Sequence, residues 1–436
     1  MTKKEICSEI VQSIKDYLST PSRLDVFKAK NRFVRKRVLT IIHVIMYLLF
    51  SNRSSMDTNL SNIKRELCKI SDFPKKISKQ AISRARQGIC PALFAELFNL
   101  SVDLFYQNIP ERKTWNGLHV FAIDGSKFEL PNSKELFEHF GELFNTHNPN
   151  EKYTQALASI VYDVLDDYIV HASLNKFLAS ERAAALEHLK NLEELGIYQD
   201  SVVIFDRGYY SESMFRYCVE HGHYCVMRIK DSIGLAKKVG KKNADIIDHL
   251  PGNPKEGTDD VKVRVISVML ESGEYEYLVT NIFDKSFSIQ MFRRLYFLRW
   301  PCETKYLELK DRLQIEDFNG ATITSIMQEF YIGLLLSNLS ALIKDGADEV
   351  IDATKNPKNK YRYQSNRSFI IGQMKLQLPK MIFGFAPLSE IDDIFEDACI
   401  VNHRFSHTES SNVSVWKKGE PISKIKSLHS DPSIMI

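Results

Sequence analysis

Three acidic residues stand where metal-dependent phosphodiester chemistry would need carboxylates. Asp124 follows the apolar residues 120–123, and Asp206 follows the apolar residues 202–205. Glu303 lies in an aromatic and basic segment, residues 295–303. Carboxylate oxygens suit Mg²⁺ and Mn²⁺, and phosphoryl transfer with two such ions needs ligands on rigid backbone. We therefore expect these three acids to be catalytic and to bind two Mg²⁺ ions, for which Mn²⁺ can substitute.

The alternative for each aspartate is a turn residue at the end of a strand, because Asp favours turns. Two such aspartates separated by strand, strand, helix and strand are more specific than one. Gly125 follows the first aspartate directly and Gly208 lies two residues after the second. Glycine at these points would leave space for backbone or metal to approach.

Basic and aromatic residues surround the glutamate at helical spacing. At 100° per residue, Tyr296, Arg299, Glu303 and Lys310 would lie on one narrow face of a continuous helix. Pro301 lacks an N–H and is expected to interrupt the helix and restart it. The alternative is a surface stripe of alternating charge. Arginine and lysine neutralise phosphate and tyrosine can donate to a phosphate oxygen, so these residues favour a phosphate-binding role.

Charge is unevenly distributed along the 436 residues, although the net charge is only +3. Residues 1–110 contain 19 Lys and Arg but 9 Asp and Glu, a net charge of +10, which leaves −7 for the remainder. A basic N-terminal region is typical of contact with a polyanion, most commonly nucleic acid.

Cysteine usage and hydropathy indicate a cytoplasmic location. The seven cysteines form no CxxC pair and no Cys/His spacing suited to zinc, so we expect free thiols. The most membrane-like stretch, residues 38–50, is too short to span a membrane and is predicted to be a core helix.

The N-terminal 110 residues are predicted to be helical. Ser78 is predicted to cap a short helix that contains Lys79, Arg84 and Arg86, and Pro91 to open the next helix. This pair is either a DNA-reading helix-turn-helix or a bundle with a solvated basic face.

The remaining elements predict an α/β fold with a ribonuclease-H-like catalytic core. Strands are predicted at 119–123, 156–164, 168–174, 201–205 and 224–229, with helices at 181–195 and 212–220. Strands at 261–270 and 275–282 predict a β-rich insertion, and a helix follows at about 323–342. The predicted regions are 1–110 (helical, basic, DNA-binding), 111–230 (first part of the core), 231–288 (insertion), 289–345 (second part of the core, with the catalytic Glu) and 346–436 (C-terminal helices after a linker at 354–368, with a loose tail from 406).

The spacing Tyr296-x2-Arg299-x3-Glu303-x6-Lys310 matches a known signature. Because of this signature, the chain resembles the DDE transposases of bacterial insertion sequences, in particular the insertion-sequence-four family. The resemblance covers roughly residues 25–380 and is most specific through 117–345.

Both aspartates fit the same resemblance. Asp124 in Ile-Asp-Gly-Ser and Asp206 in Phe-Asp-Arg-Gly-Tyr match the first and second catalytic aspartates of the family. The resemblance implies a transposase that cuts at terminal inverted repeats and transfers the freed 3′-OH ends into target DNA. Its implied partners are double-stranded DNA and a second copy of the chain in a synaptic homodimer. No membrane or nucleotide cofactor is expected, since the sequence contains no Walker A loop.

One feature departs from the family. Relatives that form a DNA hairpin stack a flipped base on a tryptophan in the insertion, but no tryptophan lies there in this chain. Tyr275, Tyr277 or Phe283 could stack a base instead, or could simply pack a sheet. The hairpin step is therefore left open, whereas strand cleavage is expected.

The same residues allow other interpretations. Arg207 either touches phosphate or has no role in DNA binding. A defective or domesticated copy acting as a DNA-binding repressor would be expected to have lost an acidic ligand or a basic residue, and none is lost. A glycosidase with paired carboxylates would not explain the basic residues near Glu303.

Overall fold

The computed structural model describes residues 1–33, 38–52, 54–144, 148, 151–255, 257–270, 272–355 and 363–404. The predicted loose tail and part of the predicted linker, residues 356–362, lie outside the described residues. In the described residues the helices are α1 (Lys3–Leu18), α2 (Pro21–Asp25), α3 (Ile41–Phe50), α4 (Met56–Leu67), α5 (Lys79–Arg86), α6 (Ala92–Asn108), α7 (Lys134–Phe140), α8 (Glu181–Glu194), α9 (Glu212–Glu220), α10 (Gly234–Val239), α11 (Ile289–Phe297), α12 (Trp300–Leu307), a π-helix (Glu308–Arg312), α13 (Ile323–Ala353), α14 (Arg367–Ile382) and α15 (Glu390–Ile400).

A mixed sheet lies at the centre of this α/β fold. The strands are β1 (His119–Leu130), β2 (Leu143–Phe144), β3 (Lys152–Asp163), β4 (Tyr168–Lys176), β5 (Ser201–Phe205), β6 (Tyr224–Ile229), β7 (Ala244–Leu250), β8 (Val261–Met269), β9 (Tyr275–Thr280), β10 (Tyr363–Ser365) and β11 (Asn402–Arg404). The first nine form one sheet in the order β2-β3-β1-β5-β6-β9-β8-β7, with β4 also paired to β3, while β10 and β11 form a separate pair.

Strand direction changes within the central sheet. β1, β5 and β6 are parallel neighbours, while β3 and β4 pair antiparallel on one side and β9, β8 and β7 on the other. The strands of the predicted β-rich insertion therefore continue the central sheet. They can do so because β9 returns beside β6 and pairs with it through Val226↔Thr280 to Ile229↔Tyr277.

Local sequence signals placed several elements correctly. β5, α9 and β6 have the predicted bounds. Ser78 caps α5 by accepting from the N–H of Ala81, and Gly196 ends the region of α8 with a positive φ of 67°. The turn between β3 and β4 contains Asp167 in the left-handed region, which Asp tolerates.

The helices at the two ends of the chain pack together. α1, α6, α14 and α15 all contact the long helix α13, which also contacts β4. The described part of residues 1–110 contains the helices α1 to α6, and α1 and α6 pack directly on a helix of the C-terminal half. The domain boundaries stay a prediction.

Arg86 does not lie on an exposed basic face, in contrast to the solvated face that was one of the two interpretations of α5. Its guanidinium is 1% exposed, lies 3.0 Å from a carboxylate oxygen of Glu329 on α13, and donates to the side chain of Gln328. The reason is a long-range contact between α5 and α13 that the local charge pattern does not encode. Lys79 pairs with Asp57 on α4 at the surface.

Apolar helices form part of the protein interior. α3 is mostly buried, which confirms the core helix predicted in residues 38–50. In the described part of the chain, only α13 has the length and apolar composition that a membrane span needs. Because 83% of its most apolar window is buried inside the protein, α13 is accounted for as a core helix.

Candidate active site

The two aspartates meet at one edge of the parallel strands. β1 and β5 pair in parallel from His119↔Ser201 to Ile123↔Phe205. Asp124 is the next residue on β1, and Asp206 directly follows β5. Neighbouring parallel strands end at the same edge of a sheet. Both carboxylates therefore lie at the edge where the parallel pairing of β1 and β5 ends.

Asp124 was predicted to end its strand, and this was wrong. β1 continues to Leu130 because it stays paired with β3, as far as Leu130↔Thr154. Only the parallel pairing with β5 stops before Asp124. The aspartate is therefore held on one side by a continuous antiparallel ladder, which fixes its backbone.

A buried arginine lies among all three acids. The guanidinium of Arg299, whose side chain is 7% exposed, places Nη1 3.3 Å from Oδ2 of Asp124 and Nη2 2.7 Å from Oε1 of Glu303. Its Nε lies 3.9 Å from Oδ1 of Asp206. The structure thus brings the three predicted catalytic acids within 4 Å of a single cation. Arg299 balances much of their mutual repulsion.

Tyr296 also faces this cluster. Its buried hydroxyl donates a hydrogen bond to Oδ1 of Asp206 at 3.0 Å. Burial and the negative charge of Asp206 raise the pKa of Tyr296 well above its usual range, so the side chain is a neutral donor. In this arrangement Tyr296 orients an acid, and it could donate to a phosphate oxygen only after a change of partner.

The segment around Glu303 is not one continuous helix. α11 ends at Phe297 and α12 begins at Trp300, with Pro301 in its first turn, as the missing N–H of proline predicted. The turn between the two helices contains Arg299. This break directs the guanidinium toward the acids.

Lys310 lies in the π-helix that follows α12. Its Nζ lies 2.5 Å from the backbone carbonyl oxygen of Lys127 and 3.2 Å from Oε1 of Glu316. Lys127 is on β1, three residues after Asp124. The structure therefore brings Lys310 to the strand of the first aspartate, and its ammonium is held there by a carbonyl and a half-buried carboxylate.

Arg207 has a different environment. It is exposed in the turn after β5, directly beside Asp206. Arg182 supports this turn by donating to the carbonyl of Gly208 at 3.2 Å. The charge of Arg207 therefore faces solvent near the acid cluster.

The close packing behind Asp124 leaves little room for a side chain at one of the two expected glycine positions. A Cβ added to Gly125 would lie 3.1 Å from Cδ1 of Leu157 and 3.4 Å from the hydroxyl oxygen of Tyr209. A Cβ at Gly208 would meet only Oε2 of Glu181 at 3.6 Å, an ordinary contact. Side chains therefore approach closely at position 125 and not at position 208, whereas the approach of backbone or metal stays a prediction.

Burial perturbs the titration of Asp124. Burial raises its pKa from the ordinary value of 3.8 to about 6. The Gly125 N–H and Arg299 act in the opposite direction, while Asp206 and Glu303 add to the rise. The carboxylate of Asp124 is therefore a costly charge in the folded protein without a further cation.

Two residues near the site escaped the sequence analysis. Glu276 on β9 is 6% exposed and pairs with Arg228 at 3.4 Å, and burial raises its pKa. The hydroxyl of Tyr306 lies 2.9 Å from the backbone carbonyl of Asp124. Glu276 could have been identified from the sequence as a single acid in an otherwise apolar strand. For Tyr306 the signal was its position three residues after Glu303, on the same side of a helix.

The aromatic residues proposed for base stacking are partly buried in the sheet. Tyr277 is 5% exposed and its hydroxyl lies 3.3 Å from the carbonyl of Gly240. Tyr275 is half-buried, and Phe283 has the ammonium of Lys262 over its ring at 4.8 Å. Burial favours the sheet-packing interpretation for Tyr277.

The acid cluster has the donor set of a magnesium site, but its oxygens are directed at an arginine. Among the described residues, no three His, Cys, Asp or Glu are arranged to enclose a metal ion. Asp124, Asp206 and Glu303 supply hard carboxylate oxygens, as Mg²⁺ requires. Holding an ion with them requires that Arg299 gives up some of its contacts.

Comparisons with known proteins give the family. Residues 115–339, about half of the chain, match the family model described as the transposase DDE domain. The chain belongs to this family of DDE transposases. Within it, the similarity to curated proteins is to transposases of the IS4 type.

Two relatives come from Escherichia coli (strain K12). The transposase InsG for insertion sequence element IS4 is 24% identical over 249 residues, which are 55% of this chain and 54% of InsG. InsZ is 24% identical over 138 residues, which are 32% of this chain and 44% of InsZ. The chain thus spans about half the length of the curated relatives it matches.

A solved structure also resembles the chain. It is the cryo-EM structure of the piggyBac transposase synaptic complex with hairpin DNA, with a TM-score of 0.47 and 10% sequence identity. The similarity covers 91% of this chain and 85% of that chain.

Proposed function

We propose that this chain is the transposase of a bacterial insertion sequence, which cuts DNA at terminal inverted repeats and transfers the 3′-OH ends into target DNA. The observation that carries the proposal is the convergence of Asp124, Asp206 and Glu303 on Arg299. Membership of the DDE family implies a metal-dependent DNA-cleaving enzyme. A group of three acids around one buried arginine is suited to hard cations and phosphate.

The proposed catalytic core is ribonuclease-H-like. The strand order β4-β3-β1-β5-β6, with antiparallel strands first and parallel βαβ units after, supports it. The proposed DNA-binding region is the basic N-terminal 110 residues. Its net charge of +10 supports contact with the DNA backbone.

Asp124, Asp206 and Glu303 are the proposed ligands of two Mg²⁺ ions, with Mn²⁺ as a substitute. Bound there, the two cations would activate the attacking oxygen and stabilise the leaving oxygen. The acids must be ionised to bind them, and Asp124 is the one whose burial opposes ionisation. Until then, Arg299 offsets one of their three negative charges.

DNA phosphates are the proposed second partners of the basic residues. Arg299 can exchange a carboxylate for a phosphate, because both present paired anionic oxygens to a guanidinium. Tyr296 can exchange Asp206 for a phosphate oxygen in the same way. Lys310 and the exposed Arg207 are proposed to hold the strand beside the acids.

Further parts of the proposal concern assembly and the reaction path. We expect a homodimer that pairs two transposon ends, working in the cytoplasm on the nucleoid. The hairpin intermediate is compatible with Tyr275 or Phe283 as a stacking residue, because neither is fully buried.

The test is replacement of the glutamate. Duplexes taken from the inverted repeats that flank the gene are incubated with protein and Mg²⁺, and nicks are measured on denaturing gels. Glu303→Gln should lower the nicking rate by about 1,000-fold or more, since one oxygen ligand is lost. Binding of the same duplex, measured by gel shift, should change less than about threefold.

Glu138→Gln is the matched control, because Glu138 is an exposed acid on α7. This variant should nick DNA at the wild-type rate. Nicking by Glu303→Gln at the rate of this control would refute the assignment of Glu303.

A further inference from the structure

Four charged side chains form a buried cluster behind the segment that carries Glu303. Lys305 on α12 places Nζ 2.6 Å from Oδ1 of Asp167 and 3.2 Å from Oε1 of Glu308. Arg367 on α14 forms ion pairs with the same two acids, with its Nη2 2.9 Å from Oε1 of Glu308. We call these four residues the buried charge cluster.

The cluster is largely buried and balanced in charge. Its side chains are between 2% and 23% exposed, with Lys305 the most buried and Asp167 the least. Burial alone would raise the pKa of Asp167, but Arg367 and Lys305 hold it far below its usual range. Two cations, Lys305 and Arg367, therefore face two acids, Asp167 and Glu308.

Neutral groups complete the hydrogen bonding of the acids. Tyr162 on β3 donates to Oδ1 of Asp167 at 2.6 Å. Ser337 on α13 donates to Oε1 of Glu308 at 3.2 Å. The cluster thus connects the sheet, α12, the π-helix, α13 and α14 at one point. Such a network fixes geometry in a way that apolar contacts alone do not.

The segment that this cluster holds has little stability of its own. α12 is eight residues long, begins with Pro301 in its first turn, and has no side-chain cap at its N-terminus. The π-helix after it is a rare conformation that is often found at functional sites. Short helices are marginal without tertiary contacts, so contacts from other elements must fix this segment.

Both residues assigned to chemistry on this segment flank the cluster. Glu303 lies two residues before Lys305, and Lys310 lies two residues after Glu308. Asp167 is anchored in the turn between β3 and β4, and β3 pairs with the strand that carries Asp124. The cluster therefore sets the distance between α12 and the sheet that positions Asp124 and Asp206.

We propose that Arg367, acting through Glu308, Asp167 and Lys305, is a positioning residue that holds Glu303 in register with the two aspartates. Arg367 lies outside the residues 115–339 that match the family model, so a helix of the C-terminal region would support the segment that carries Glu303. The inference rests on the proposed function for its effect on DNA cleavage. Its structural part, the position of α12, can be measured without DNA.

The first measurement is the cleavage rate of Arg367→Met. With DNA and Mg²⁺ saturating, its nicking rate should fall at least about tenfold, since a misplacement of about 1 Å can cost about 100-fold. Its affinity for DNA should change less than about threefold. Lys3→Met is the control, because Lys3 is also a largely buried cation paired with two acids, Asp345 and Glu349, but it links α1 to α13. This control should nick at the wild-type rate.

A second variant separates positioning from overall stability. Adding Asp167→Asn to Arg367→Met restores charge neutrality in the cluster, since Lys305 and Glu308 remain. We expect the thermal midpoint to recover while the nicking rate does not. Recovery of both together would show that Arg367 acts through stability alone and would overturn the proposal.

A third measurement needs neither DNA nor metal. Trp300 is 49% exposed in the first turn of α12, so its fluorescence reports the position of that helix. In a Trp115→Phe, Trp416→Phe background, Arg367→Met should shift the emission maximum or change acrylamide quenching, and Lys3→Met should not. Unchanged emission together with an unchanged nicking rate would overturn the proposal.

Two outcomes distinguish this proposal from the proposed function. If the wild-type protein does not nick its DNA ends, the proposed function fails, and the Trp300 measurement alone decides whether Arg367 positions α12. If Arg367→Met does not fold, Glu308→Gln takes its place, because it removes one charge and keeps the shape. It should slow nicking about threefold or more and shift the Trp300 emission, and the absence of both effects would refute the role of the cluster.

Discussion

Replacement of Asp124 by asparagine should stabilise the metal-free protein at neutral pH. The carboxylate is buried beside Asp206 and Glu303, and its pKa is raised from 3.8 to about 6. Asparagine has nearly the same shape and carries no charge to desolvate. Asp124→Asn therefore removes an unfavourable charge from the folded state, at the expense of metal binding.

The direction of the pH dependence follows from the sign of this shift. A carboxyl group with a raised pKa in the folded state binds its proton more tightly there than in the unfolded state. Its contribution to stability is fully present below pH 3.8 and is lost as the pH rises through about 6. The gain from Asp124→Asn should therefore be near zero at pH 4 and reach a plateau above pH 7.

The size of the gain can be worked from the same values. The difference between 3.8 and about 6 is about two pKa units, and at 1.36 kcal/mol per unit this corresponds to about 3 kcal/mol. The side chain is 17% exposed, so solvent screening reduces the gain only modestly. For a chain of this size, about 3 kcal/mol raises the thermal midpoint by about 3 °C.

The assay is thermal unfolding of both proteins in EDTA from pH 4 to pH 8, followed by circular dichroism. Midpoints are compared at each pH, because a chain of this length need not unfold in two states. Asp231→Asn is the control, since Asp231 is exposed after β6 and should show no pH-dependent gain. Equal midpoints of wild type and Asp124→Asn at pH 7.5, or a gain that is the same at pH 4, would refute the reasoning.

Two further predictions follow from buried arginines. Arg299→Gln should raise the affinity of the DNA-free protein for Mn²⁺ about tenfold, about 1.4 kcal/mol, because the acids lose their competing cation; unchanged or weaker binding in calorimetry would contradict this. Arg86→Met should lower the free energy of unfolding by about 3–5 kcal/mol, since Glu329 is left buried without its arginine. Where it is folded, this variant should bind DNA as the wild type does in a gel shift. Weaker binding than that of Arg84→Ala, which changes an exposed residue of α5, would contradict the structural role of Arg86.

Local sequence patterns were sufficient to predict the bounds of several helices and strands. The bounds of β5, α9 and β6 followed from apolar runs closed by Asp, Gly and cap residues. The restart of the helix at Pro301 followed from the missing N–H of proline. The same patterns could not give the length of β1, because its second half, residues 125–130, is stabilised by pairing with β3 rather than by hydrophobicity.

Elements with weak local signals were missed. α7 and β2 lie between β1 and β3 and are short, so their contacts with the sheet decide their conformation. α13 extends eleven residues past its predicted end at 342, where α1, α14 and α15 cover it. The π-helix has no sequence pattern that distinguishes it from the α-helix it continues.

The sequence by itself determined which acids could do the chemistry and in what order the elements carry them. Asp124, Asp206 and Glu303 were identified by residue type, neighbouring apolar runs and spacing, all of which are local. Only the tertiary structure decided what surrounds them. Arg299 contacts acids 175 and 93 residues away in the chain, and Arg367 contacts one 200 residues away. Such contacts leave no periodicity in the sequence, because they depend on which strands and helices become neighbours and on the desolvation that follows.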